Sequence, residues 1–262
     1  MVKAEPANGL DGARASLRAR QGGGARYDAA NAPARELDWA RRGSAYFARR
    51  LEELSDPALG GDSLVPGWTR QHVVACVAYH ARALARILEQ VRTGAPVRMY
   101  ERPGQREEEI ADGATLPPAA VRYLYQHTVI HLNVEWRDLT VRHWELELDG
   151  IPGLAAMRQT PWTRAREIWL RALDLNNGAR FRDLPADFLE ALISERIAVL
   201  ADGAHGAVPA GFGTPDGASL TFGGCPVAGR RADLARYLCG YGNARLRCDR
   251  ALPDVPRALP HP

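Results

Sequence analysis

The chain has 262 residues, of which 46% are hydrophobic and 25% charged, and it carries a formal net charge of +3. That is enough chain for one large domain or two modest ones around a real apolar core, with the composition of an ordinary globular protein. The basic residues are spread out, which leaves no electrostatic footprint for nucleic acid, and no apolar run approaches the roughly 20 residues that span a bilayer.

The N-terminal stretch is rich in Ala, Gly and Arg and holds little to bury, so residues 1–33 are expected to form a disordered tail. It contains no apolar core of a secretion signal. The four cysteines, Cys76, Cys225, Cys239 and Cys248, form no CxxC pair and match no disulfide or zinc framework. Together these features lead us to expect a reducing cytoplasm. Lysine is nearly absent while Ala, Arg and Gly abound, the usage of a GC-rich bacterial coding sequence.

From about Ala34 to Leu54, Leu37, Phe47, Leu51 and Leu54 recur at helical spacing opposite Arg and Glu, which predicts an amphipathic first helix. The loop SDPALGGDSLVP follows. A second helix is expected from Thr69, its N-cap, to about Thr93, with Gly94 as its C-cap. MYERPGQREEEIADGA reads as a polar loop with a short acidic helix, and it carries Arg106. The segment from Pro117 to about Leu148 reads as one long third helix, rich in aromatics and histidine. A fourth helix starts near Thr160–Pro161 and ends before Asn176–Asn177–Gly178.

Four long helices with short connections predict an antiparallel bundle over residues 34–180. Beyond it, DLPADFLEALISERIAVLADG is a further amphipathic helix. The Gly- and Pro-rich remainder has strand-like pieces at Ala218–Phe222 and Arg245–Cys248, with the helix ADLARYLCG between them. Residues 181–262 therefore read as a small α+β unit, with a linker near 179–185. The fold class is α+β, mainly α.

On the second helix, His72, Cys76 and His80 recur every four residues and share one face. Small and apolar neighbours surround them, so these groups must be satisfied or used. The plainer reading is a core helix with hydrogen-bonded histidines and Cys76 as a small apolar filler. On the fourth helix Glu167 and Arg171 lie one turn apart. As a surface pair they would contribute about a few tenths of a kcal/mol. Ile168, Trp169, Leu170 and Leu173 leave little of that helix free for solvent. On the third helix His127, His131 and Glu135 line one face, either as a solvated stripe or as titratable groups turned towards His80 for proton transfer.

GWTRQHVVACVA, MYERPGQREEEI, REIWLRALDL and the late ADLARYLCG, in this order, resemble the mycothiol-dependent maleylpyruvate isomerase family, from about Leu37 to Leu252. The resemblance implies a DinB-like four-helix bundle followed by a small α+β domain. It also implies a divalent metal, usually zinc, bound by one His on the second helix and by a Glu-x-x-x-His on the fourth. Here those positions are Cys76, Glu167 and Arg171, and a guanidinium has no lone pair to give a metal. Arg106 looks like the family's substrate-binding arginine, while the family's late Thr-Gly-Arg reads Cys239–Gly240–Tyr241.

These departures lead to the expectation of a metal-independent enzyme of this group, with no cofactor, acting on a small anionic substrate. Arg171, Arg106, His127 and Cys76 would bind it, and Glu167, His80 and His131 would carry the catalysis. Isomerisation or an intramolecular substitution that closes a ring would fit, in a bacterial specialised-metabolite pathway, with a partner enzyme of that pathway as a possible associate. Two alternatives stay open. One is a zinc- and mycothiol-dependent isomerase or thiol transferase whose metal sits on Cys76, Glu167 and His80. The other is a non-catalytic small-molecule binding protein.

Overall fold

Thr69 starts the helix on which the rest of the bundle is assembled. Its hydroxyl accepts from the His72 backbone N–H, and the His72 ring returns the bond to the Thr69 backbone N–H. That helix, α2 (Arg70–Thr93), closes on Gly94 in the left-handed conformation at φ 74°. Val73, Val74, Ala75, Val77, Ala78 and Ala81 are all fully buried along it, so it is the centre of the bundle rather than one of its walls. Each larger apolar side chain so placed contributes roughly 1.5–3 kcal/mol of burial.

The computed structural model describes residues 27–201, 207–210, 217–222, 225–243, 245–248, 251–252 and 254–257. Around α2 lie α1 (Ala34–Glu52), α3 (Gln105–Gly113), α4 (Pro118–Asp138) and α6 (Thr160–Asp174), with the short α5 (Val141–Trp144) between α4 and α6. α2 packs along α4, α1 packs along α6, and α2 also meets α6, which closes the four-helix bundle. The α1–α6 approach is close enough to require glycine: a Cβ on Gly43 would stand 2.6 Å from Ile168 Cγ2 and 2.9 Å from Trp169 Nε1.

After the bundle come α7 (Ala186–Ala201), strands β1 (Ala207–Ala210), β2 (Gly217–Phe222) and β3 (Cys225–Arg230), and α8 (Arg231–Leu238). The strands form an antiparallel sheet in the order β1-β2-β3, with Ala207 opposite Phe222 and Gly217 opposite Arg230. α7 and α8 pack against each other, and Val227, Leu234, Tyr237 and Leu238 are buried in this unit.

Several expectations need correction. The third helix does not run to Leu148. It ends at Asp138, because Leu139 turns extended (φ −70°, ψ 133°) and Thr140 begins a new turn whose backbone N–H donates to His143. The strand expected at Arg245–Cys248 is reduced to one bridge between Ala228 and Arg247. Cys248 is disulfide-bonded, against the reading that the cysteines have no disulfide spacing. Most of the expected tail, residues 1–26, lies outside the described residues. Residues 27–33 lie against the bundle: Asp28 forms a fork with Arg41 at 2.6 and 2.7 Å, and Asn31 donates to the Val141 carbonyl at 3.0 Å.

Candidate active site

Helical periodicity puts Glu167, Arg171 and Asp174 on one face of α6, and that face is turned inward against α2. Arg171 is 2% exposed and Glu167 fully buried, so this is not the surface pair the spacing alone allows. Arg171 donates through Nε to Glu167 Oε1 at 3.0 Å and through Nη1 to Asp174 Oδ2 at 3.0 Å, which fixes its plane between two carboxylates. Its carbon centre also lies 5.3 Å from the Trp68 ring centroid. Asp174 is held from its other oxygen by the Tyr241 hydroxyl at 2.7 Å and by the Arg257 guanidinium.

From α2, Cys76 Sγ donates to Glu167 Oε1 at 3.2 Å. From α3, Arg106 Nη2 reaches the same sulfur at 3.6 Å. Thus Cys76, Glu167, Arg171 and Arg106, widely separated in sequence, meet at one point. Burial pushes the Cys76 thiol up to about 12, helped by the Glu167 charge, so the sulfur stays protonated and serves as a donor rather than a thiolate nucleophile. Burial alone would raise the Glu167 carboxyl. Arg171, with Arg106 behind it, overrides that and holds it down at about 2. Glu167 is therefore held as an anion that orients Arg171.

His80 lies one turn beyond Cys76 and is 2% exposed. Burial drives its pKa down to about 3, against the pull of Glu167. Its Nδ1 faces Arg164 Nη1 at 3.5 Å, and Arg164 donates to the Val77 carbonyl at 2.7 Å. The ring is thus neutral and accepts through Nδ1. Glu167 Oε2, His80 Nε2 and Arg164 Nη2 are all buried without a hydrogen-bond partner among the described residues.

His127 and His131 are placed elsewhere. They line a surface groove with Arg82 and Arg86, on the side of α2 opposite to His80, and their rings pack on each other at 6.2 Å. His131 reaches Glu135 at 3.5 Å, and Arg92 meets the same carboxylate at 3.5 Å. The expected stripe is real as a helix face, but it does not open into the bundle interior, so neither histidine joins the centre. A pocket of about 710 Å³ lies instead over Arg106, walled by Tyr100, Arg102 and Ile151 among others. Burial holds the Tyr100 phenol well above its ordinary value, with Arg106 opposing. Arg106, its side chain 20% exposed, stands between this pocket and the Cys76 sulfur.

Asp174, Arg164, Tyr100, Tyr241 and Arg257 also belong to this neighbourhood, and the sequence reading does not single them out as site residues. Asp174 and Arg164 sit at heptad and i−3 offsets from Glu167, so extending the Glu167–Arg171 stripe by one turn each way would find them. Nothing local marks Arg257.

Such a four-helix bundle, carrying an inward stripe of acid and base and followed by a small α+β unit, is a DinB-like fold. Residues 40–176 match the family model of the mycothiol maleylpyruvate isomerase N-terminal domain. Among solved structures, the crystal structure of the mycothiol-dependent maleylpyruvate isomerase is similar at 31% identity and a TM-score of 0.75, over 86% of this chain and 96% of that one. The crystal structure of a mutant of that isomerase is similar at 32% identity and a TM-score of 0.74, over the same shares. No curated protein matches the chain. The chain belongs to the mycothiol maleylpyruvate isomerase family, and it is an isomerase-like enzyme.

The donor set at the position where the resemblance implies a metal does not fit a divalent cation. Glu167 Oε1 is already taken by Arg171 Nε and by the Cys76 thiol, and three guanidiniums, those of Arg171, Arg106 and Arg164, surround it. The alternative set of Cys76, Glu167 and His80 is not assembled either: among the described residues no group of three or more His, Cys, Asp or Glu is placed to hold a metal ion.

Proposed function

We propose that the chain is an isomerase-type enzyme that acts without a bound metal on a small anionic substrate, by isomerisation or by an intramolecular substitution that closes a ring. The observation that supports this best is charge. Arg171, Arg164, Arg106 and Arg257 converge on two buried carboxylates, Glu167 and Asp174. The ion-pair partner of Arg106 among the described residues is the exposed Glu107, at 3.5 Å. The buried Arg171 and Arg164 match the buried Glu167 and Asp174, so the positive excess lies at the edge of the centre, on the partly exposed Arg106 and Arg257, where an anion would complete it.

In this reading the substrate enters the pocket over Arg106 and offers its carboxylate, sulfate or phosphate to that guanidinium. Arg106 then leaves the Cys76 sulfur and opens the way to Arg171. Arg171 is held in plane by Glu167 and Asp174, and its Nη2 makes no hydrogen bond among the described residues. It is a preorganised donor for negative charge that develops in the transition state, on an enolate or on a departing anion. His80, Glu167 and Cys76 stand at about 3, 2 and 12, far from neutrality. Positioning and electrostatic stabilisation therefore carry the rate, rather than general acid–base transfer by these side chains. A bacterial specialised-metabolite pathway fits this reading.

Arg106→Ala is expected to lower kcat/KM on anionic substrates by about 100-fold or more, the loss typical of one electrostatic donor. Arg171→Lys keeps the charge but loses the fork, and should lower kcat with folding intact by circular dichroism. Wild-type turnover from both variants across a panel of small carboxylates and sulfate esters would overturn the reading. The likeness to the mycothiol-dependent enzyme over 86% of the chain favours a second reading, a thiol-dependent isomerase. Turnover of maleylpyruvate only when mycothiol is added would select it.

A further inference from the structure

A second cleft, of about 630 Å³, lies at the seam between the end of the bundle and the C-terminal unit. It is within the size range of small-molecule sites. Six arginines line it: Arg180, Arg182, Arg230, Arg236, Arg245 and Arg257. The single acidic side chain on its wall, among the described residues, is Asp233. Arg257 is engaged by Asp174, Arg236 donates to the Tyr241 carbonyl at 3.0 Å, and Arg182 lies 3.9 Å from Asp183. Arg180, Arg230 and Arg245 have no ion pair and no side-chain hydrogen bond among the described residues.

These three guanidiniums are solvent-exposed and line one concavity, so their like charge, although screened, favours an anion that reaches them together. The walls are not polar throughout: Leu64, Leu173 and Phe181 supply an apolar side. The first turn of α8, at Ala232 and Asp233, also lines the cleft and has no side-chain cap, which adds a weaker attraction of the same sign.

We propose that this cleft is a second binding site, separate from the pocket over Arg106, for a small organic anion of two or more charges, a phosphate ester or a polycarboxylate. Guanidinium forks suit the planar oxygens of either group, and the apolar wall takes the carbon skeleton. The cleft borders the centre through Tyr241 and Arg257, which hold Asp174, but none of the three arginines proposed to bind the anion touches the Cys76–Glu167–Arg171 group.

Isothermal titration calorimetry with inorganic pyrophosphate and with citrate, at low ionic strength, tests it. With the first pocket disabled by Arg106→Ala, the full-length chain should still bind at least one of them at one site with submillimolar Kd, and the preferred probe tells phosphate from carboxylate. Adding Arg180→Ala, Arg230→Ala and Arg245→Ala to that variant should weaken the binding tenfold or more. In the same Arg106→Ala background, a control with Arg42, Arg137 and Arg142 changed to Ala should leave it unchanged. Absence of binding by both probes at millimolar concentration would overturn the proposal. Equal weakening in the control, or undiminished binding in the cleft variant, would do so too. Binding by the natural chain that vanishes in Arg106→Ala would overturn it as well, by assigning the anion to the first pocket.

Discussion

At the scale of single residues, the centre is a set of charges whose values are fixed by burial and by one another. The folded-state values of His80, about 3, and Glu167, about 2, lie below their unfolded values of 6.5 and 4.5. The unfolded chain therefore binds the extra protons, so both groups destabilise the fold as pH falls, His80 below 6.5 and Glu167 below 4.5. Cys76 works in the other sense. Its value is raised from 9.0 to about 12, so its contribution is complete below 9.0 and is lost as pH rises above it. Urea denaturation across pH should show a plateau between about 6.5 and 9 with a decline on each side. A maximum near pH 5 would contradict these assignments. The same values predict that kcat is flat between about pH 6 and about 8.5, because none of these three groups changes protonation there. A bell-shaped profile centred near neutrality would mean that a titrating group outside this set carries the chemistry.

At the scale of elements, the bundle depends on helices that come unusually close. Gly43→Ala puts a methyl group into Ile168 and Trp169, whose indole N–H donates to the Trp39 carbonyl at 3.0 Å. Overpacking of this kind should lower stability by about 1–3 kcal/mol, read from the denaturation midpoint at constant m-value. Helix positions of this sort are largely legible in the sequence, because caps and apolar periodicity are local: Thr69 and Gly94 bound α2 as expected. The break after Asp138 is harder to see. Leu139 and Thr140 interrupt a strongly helical stretch, and only the Thr140–His143 capping pair marks it. Cys76, Glu167 and Arg171 are legible as candidates from their helical spacing, and Arg106 through the resemblance of its loop to the family's. His127 and His131 look equally suggestive. Period alone fixes which residues share a face, but not which way that face turns.

At the scale of the whole molecule, two distant segments complete the centre. Tyr241 follows α8, Arg257 lies near the C-terminus, and both end on Asp174. A Cβ on Gly240 would stand 2.5 Å from Arg257 Cα, so the glycine, at φ 76°, lets the final segment lie close enough to deliver that guanidinium. This long-range closure has no signature in the sequence, which is why neither Asp174 nor Arg257 stands out there. It also explains how positive charge persists at the centre although Tyr241 stands at the position where the resemblance leads one to expect an arginine.

In the proposed reading Arg171 takes the role left by a metal ligand, and zinc retention decides whether it does. The chain should be freshly purified beside the Cys76→His/Arg171→His double variant, and each loaded with zinc, washed with a mild chelator and assayed for metal. We expect no retained zinc in the natural chain and about one equivalent in the variant, whose His–Glu–His set is a proper donor group. About one equivalent of zinc held by the natural chain would refute the role given to Arg171, and would return the enzyme to metal-dependent chemistry.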